Sequence, residues 1–135
     1  MSFPRLLPVT QSFPDRALAD IPGTVFQQLG EAGFGSGLRP GATVAIGVGS
    51  RGITNIATIV RSIVDYWKSN GMKPFIFPAM GSHGAATAEG QADVLAHYGI
   101  HEATVGCPVV SSLDVVSLSK TAEGLEAFMD ANAYK

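Results

Sequence analysis

The chain reads as a single α/β domain, with a Rossmann-like parallel sheet built from βαβ units and a β-hairpin towards its C-terminal end. Three observations carry that reading. Two short apolar runs, Thr43 to Val48 and Pro74 to Phe77, are each followed by a glycine-framed loop and a segment of helical character. Strand, loop, helix, strand, loop, helix is the βαβ pattern, and right-handed crossovers make the two strands parallel neighbours. The last stretch changes character. There Val115 to Ser119 and Leu125 to Met129 form two arms around Thr121-Ala122-Glu123-Gly124.

Taken in order, Arg5 to Phe13 mixes apolar and polar residues as an edge strand would, interrupted by Pro8 and closed by Pro14. Asp20-Ile21-Pro22 opens a helix, since Asp20 can cap it and proline is tolerated in the first turn. Ile21, Val25 and Leu29 recur at helical spacing, and the glycines from Gly30 to Gly37 end the helix. Thr43 to Val48 lacks alternation, which fits a strand covered on both faces. Ile56, Ile59, Val60, Ile63, Val64 and Trp67 form one apolar stripe, the clearest helix of the chain, with Thr54 as its expected cap and Asn70-Gly71 as its stop. A shorter helix is expected from Thr87 through Tyr98, ended by Gly99, and a further strand at Val109 to Ser112. For Gly124 to Ala133 a helix is an alternative to the hairpin arm, because Leu125, Phe128 and Met129 also fit that period.

The bulk properties narrow the function classes. At 135 residues, 46% hydrophobic and 15% charged, the chain is long and apolar enough to bury a core. So few charges suggest surface covered by further sequence or by another subunit. The net charge is -2 and no lysine or arginine cluster occurs, which argues against nucleic acid as a partner. No apolar run reaches the roughly 20 residues that span a membrane. Met1 to Pro8 has no signal-peptide stretch, and Cys107 stands alone, without a partner for an internal disulfide. The expected compartment is therefore the cytoplasm.

The most informative feature is a repetition. Gly49-Ser50-Arg51-Gly52 and Gly81-Ser82-His83-Gly84 occupy the same place in successive βα units. In a parallel sheet both loops emerge at the carboxyl edge of adjacent strands, where open α/β sheets bind ligands. Loop amides, the serine hydroxyls and the helix N-termini that follow all favour an anion. Arg51 can grip a carboxylate or phosphate through two parallel hydrogen bonds. Histidine is the side chain that ordinarily exchanges its proton near neutrality, which suits His83 to acid/base work. Ser50, Arg51, Gly52, Gly81 and Ser82 are thus the candidate binding residues and His83 the candidate catalytic one. The same loops can be ordinary turns, with the arginine solvated. His97 and His101 read as structural or solvated: their spacing suits a metal, but Gly99 breaks the helix that would align them. Cys107 reads as a small core residue.

At these loops the sequence resembles a known family. Val48-Gly49-Ser50-Arg51-Gly52-Ile53, with the run from Pro78-Ala79-Met80-Gly81-Ser82-His83-Gly84 on to Gln91, is similar to the N-terminal region of the nickel-dependent lactate racemases, and closer still to an uncharacterised racemase-like branch. The likeness extends from about Phe13 to the end of the chain. It implies a nickel pincer nucleotide as cofactor and a 2-hydroxy acid as substrate. A histidine would take the hydroxyl proton while the C2 hydride moves to the cofactor and returns to the other face. His83 matches one of the family's two acid/base histidines, and Arg51 a loop arginine near substrate and cofactor. Two departures change the pocket walls. Gly84 and Ala85 follow the histidine where the family commonly has arginine and proline, and Gly52 follows the arginine where proline is common. The family's cofactor-bearing lysine, nickel-binding histidine and second acid/base histidine have no match here. The resemblance therefore implies the N-terminal part of a longer two-domain protein, inactive as an isolated chain. Its expected partners are a small 2-hydroxy acid or other small anion and the remainder of the polypeptide or a second domain, with a homo-oligomer left open.

Two alternatives stand beside this. A non-catalytic module binding a small anion or nucleotide at the same edge would need Arg51 but not His83. A structural domain would need neither, and would use the apolar hairpin as its interface.

Overall fold

The computed structural model describes residues 6–135. Helix α1 (Ile21–Ala32) opens as expected: the Asp20 carboxylate accepts from the Gly23 N–H at 2.9 Å, and Gly33 closes the helix in the left-handed region. Strand β1 (Thr43–Val48) leads through the first loop into helix α2 (Ile56–Ser69), and strand β2 (Lys73–Pro78) follows. Helix α3 (Ala88–His97) begins at its Thr87 cap, whose hydroxyl accepts from the Gly90 N–H at 3.0 Å. A one-turn helix α4 (Glu102–Val105), absent from the sequence expectations, precedes the hairpin of β3 (Val115–Lys120) and β4 (Glu126–Asp130).

β1 and β2 are parallel neighbours, with Ile46 opposite Ile76 and Val48 opposite Pro78, as the βαβ pattern requires. The hairpin is antiparallel, with Val116 opposite Met129 and a bulge between Ser117 and Ser119. This settles Gly124 to Ala133 against a helix. The fold is therefore α/β, with a two-stranded parallel sheet and a separate hairpin. The strand expected at Val109 to Ser112 shrinks to a single parallel bridge, Ile76 with Val109. Pro108, which has no N–H to donate, still accepts from Ile76 N–H at 2.9 Å, and Ile76 in turn accepts from Val110 N–H at 2.8 Å.

Four further expectations are corrected. Leu6 to Phe13 forms no strand and is exposed throughout; Arg5 lies outside the described residues. Pro8 removes a ladder donor there, and no strand among the described residues pairs with it. Thr54 does not cap α2. Asn55 stands at that position with φ 61° and no side-chain bond, because Ile53 to Ile56 closes a turn first, Ile56 N–H reaching Ile53 O at 3.2 Å. β1 is covered on one face only: Ile46 and Val48 are buried, while Thr43, Ala45 and Gly47 are exposed. The chain steps in one direction, β1 to β2 to Val109, and successive right-handed crossovers then lay α2 and α3 on the same face. Finally, α3 stops at His97, and Tyr98 takes the cap position before Gly99.

The core lies between that face and the helices. Ile46, Val48, Val60, Val64, Trp67, Ile76, Leu95, Ile100 and Val105 form one cluster, so the α2 stripe is packing, as its period indicated. α1 lies outside it, touching α2 through Phe26 edge-on to Tyr66 at 5.5 Å. Two cations of α2 hold the α4 turn: Arg61 donates to Thr104 O at 2.7 Å and Lys68 to Gly106 O at 2.9 Å. These are the orphan carbonyls of a helix end, where positive charge is favoured. No helix among the described residues is long and apolar enough to cross a membrane.

Cys107 is only 5% exposed, and burial pushes its thiol above the ordinary range. We expect native Cys107 to alkylate at least about 10-fold more slowly than a free thiol, with full reactivity on unfolding, since the thiolate is the attacking species. Native and denatured rates that match would contradict this burial. The unfolded chain ionises its thiol more easily, so Cys107 costs stability only as pH climbs through the ordinary thiol range.

Candidate functional site

β1 and β2 end side by side, and Ala79 N–H extends their ladder to Val48 O at 2.8 Å. Both glycine-framed loops consequently leave from the carboxyl edge of the parallel pair. There they are joined: Ser50 Oγ lies 2.5 Å from His83 Nδ1, across 33 residues of sequence. Ser50 is 9% exposed, whereas the His83 ring opens to solvent.

Helix α3 is the frame that holds this contact. Tyr98, at its end, donates from its hydroxyl to Ser50 O at 3.1 Å and so pins the first loop. Gln91, buried on its inner face, donates to Gly81 O at 2.7 Å and pins the second. Thr87 adds a bond to Gly84 O at 3.1 Å, and Ser111 anchors the helix start through Ala88 O at 2.6 Å. After His83 the backbone turns left-handed at three successive residues, Gly84, Ala85 and Ala86, with φ of 63°, 55° and 54°. For the two alanines that geometry is strained by about 1–2 kcal/mol each. Gly84 also runs directly against the backbone of Gly90, so the loop and the first turn of α3 are fitted to one another without room for a side chain.

The loops and α3 flank a shallow, solvent-open hollow of about 480 Å³, walled by Ser50, His83, Gly84, Asp93, Val94, His97 and Tyr98. It has the size of a small-molecule site and brings two imidazoles, a carboxylate and a phenol to one hollow. A slightly larger hollow, about 540 Å³, lies on the open face of the sheet between Thr43, Ala45 and Phe75 and the stretch of Asn132, Ala133 and Lys135, and holds no histidine.

Of the residues expected to form a site, Ser50 and His83 meet, and Gly81 supports them through Gln91. Arg51, Gly52 and Ser82 are exposed and stay off the cavity wall, and Arg51 forms no ion pair with any described residue. Asp93, His97, Tyr98 and Gln91 were not singled out from sequence as site residues. Asp93 and His97 are four residues apart, one helical turn, so their shared face was the available signal. His97 ends α3 as expected, edge-on to Tyr98 at 6.0 Å, but it also lines the cavity. Among the described residues no group of three or more His, Cys, Asp or Glu side chains comes together in a way that could hold a metal ion. No family model matches the chain, and no curated protein or solved structure is similar to it at a significant level.

Proposed function

We propose that the chain is the front part of a 2-hydroxy-acid racemase-like enzyme, contributing a Rossmann-like βαβ unit and half of an active site. The observation that supports this is the Ser50–His83 contact, which ties two equivalent βα loops together at the carboxyl edge of a parallel pair and opens onto a cavity. His83 is the proton carrier, held where the oxygen on C2 of a small acid would sit. In this reading Arg51, exposed and off the cavity wall in the ligand-free chain, would reach the carboxylate of that acid from the first loop.

The family's attachment lysine and nickel-binding histidine for the nickel pincer nucleotide have no match in this chain. Among the described residues His83, Asp93 and His97 line the hollow but do not come together as a group that could hold a metal ion. In this reading the cofactor is carried by a further part of the protein. A second reading, a non-catalytic module for a small anion or nucleotide, draws on the exposed guanidinium of Arg51, which has no ion pair among the described residues.

Titration of the chain with lactate and with pyruvate, followed by NMR, separates the two. The proposal expects saturable shifts at His83 and Tyr98, absent with the neutral amide of lactate. Arg51→Ala and His83→Ala should each weaken binding by about 3- to 10-fold, the range of a charge-assisted hydrogen bond at a solvated site. Loss with Arg51→Ala alone selects the non-catalytic module. No shift at either acid's saturation removes the hydroxy-acid site.

A further inference from the structure

The Ser50–His83 bond carries more than proximity, because a hydroxyl and an imidazole nitrogen can share one proton in two opposite senses. Either the hydroxyl donates to Nδ1, or Nδ1–H donates to the hydroxyl oxygen. The surroundings of Ser50 decide between them. Its side chain is buried, and His83 Nδ1 is the partner its Oγ finds among the described residues; the Tyr98 bond goes to the Ser50 backbone carbonyl instead. If Nδ1 held the proton and donated, the hydroxyl hydrogen of the nearly buried Ser50 would have no protein acceptor among the described residues, and a largely desolvated unsatisfied donor is costly. If the hydroxyl donates to Nδ1, every donor in the contact is satisfied. The neutral ring must then carry its proton on Nε2.

We propose that Ser50 is a positioning residue that locks neutral His83 in its Nε2-protonated tautomer, so that the resting cavity presents an N–H donor and prefers a 2-oxo acid to the matching 2-hydroxy acid. A carbonyl oxygen only accepts hydrogen bonds and so complements Nε2–H. A hydroxyl would have to turn its own hydrogen away to do the same. Ser50 acts here through His83 and is not a substrate contact, which differs from the role its loop position alone suggested. Tyr98 and Gln91 support the arrangement by fixing the two loops between which the bond is made. The ligand preference rests on the acid-binding reading given above; the tautomer does not.

The test is nitrogen NMR of the imidazole in the intact, ligand-free chain, at a pH above the range in which histidines ordinarily titrate. The expected result is the Nε2-protonated form of His83 in about tenfold excess or more. An even mixture, or an excess of the Nδ1-protonated form, overturns the proposal in the wild-type chain alone. Ser50→Ala should abolish the preference while the Ile76 and Leu95 methyl signals stay in place, and Ser50→Thr, which keeps the hydroxyl, should restore it. A folded Ser50→Ala chain with the wild-type tautomer also refutes the assignment. In the ligand arm, pyruvate should bind at least about threefold more tightly than lactate, and equal or reversed affinities overturn the preference. Binding of neither acid, with the tautomer in place, overturns the acid site and leaves the Ser50–His83 assignment standing.

Discussion

Gly84→Ala should lose about 3–5 kcal/mol of stability, the sum of a left-handed backbone forced on an alanine and overlap with a neighbouring turn. Gly84 sits at φ 63°, and a Cβ there would stand inside contact distance of the Gly90 carbonyl carbon and the Gln91 nitrogen. Those are backbone atoms in the first turn of α3 and have no flexible end to swing aside. Gly81 has the same φ of 63° but open space around it, so Gly81→Ala should cost only about 1–2 kcal/mol. A domain of this size is stable by about 5–15 kcal/mol, so the Gly84 variant should be poorly folded near body temperature. Urea unfolding of the two variants side by side checks this. Equal losses would mean that the Gly84–Gly90 approach contributes nothing. Gly90→Ala tests the same approach from the other side, because its Cβ would meet the Gly84 carbonyl.

The second large effect is expected at Ile76, which is fully buried. It stands opposite Ile46 in the parallel pair, and its backbone carries both bonds that hold Pro108 and Val110 to the sheet. Ile76→Ala removes the side chain at the centre of the core and should cost about 2–5 kcal/mol, while Ile76→Val should cost about 1. Val115→Ala, in the exposed hairpin, should stay within about 0.5 kcal/mol. The midpoint of urea unfolding reads all three. A loss below about 1 kcal/mol for Ile76→Ala would show a site able to collapse around the missing atoms.

The elements that were legible in the sequence are those specified within a turn or two of chain. The α2 stripe, the Asp20 and Thr87 caps and the turn at Thr121 to Gly124 all depend on residues that touch their near neighbours. The parallel pairing of β1 and β2 followed from a general handedness rule applied to that local pattern. Where a partner from elsewhere was required, legibility ended. Leu6 to Phe13 has the composition of an edge strand, yet no strand among the described residues pairs with it. Val109 to Ser112 has strand character, but only Val109 bridges to Ile76.

The same boundary runs through the candidate site. Periodicity and the repeated Gly-Ser-X-Gly loops placed Ser50, Arg51 and His83 at one edge of the sheet, because strand ends and loops follow from local pattern. Which of them meet was decided by the fold: Ser50 and His83 pair across 33 residues, while Arg51 faces solvent. Gln91 and Tyr98 became supports for the loops only when α3 packed beneath both, and His97 and Asp93 joined the cavity through the same packing. Helix and strand are settled by dihedral preferences and side-chain spacing over a few residues. The direction in which a loop side chain points depends instead on backbone angles such as those at Gly84, Ala85 and Ala86, and on contacts that exist only once the chain has closed.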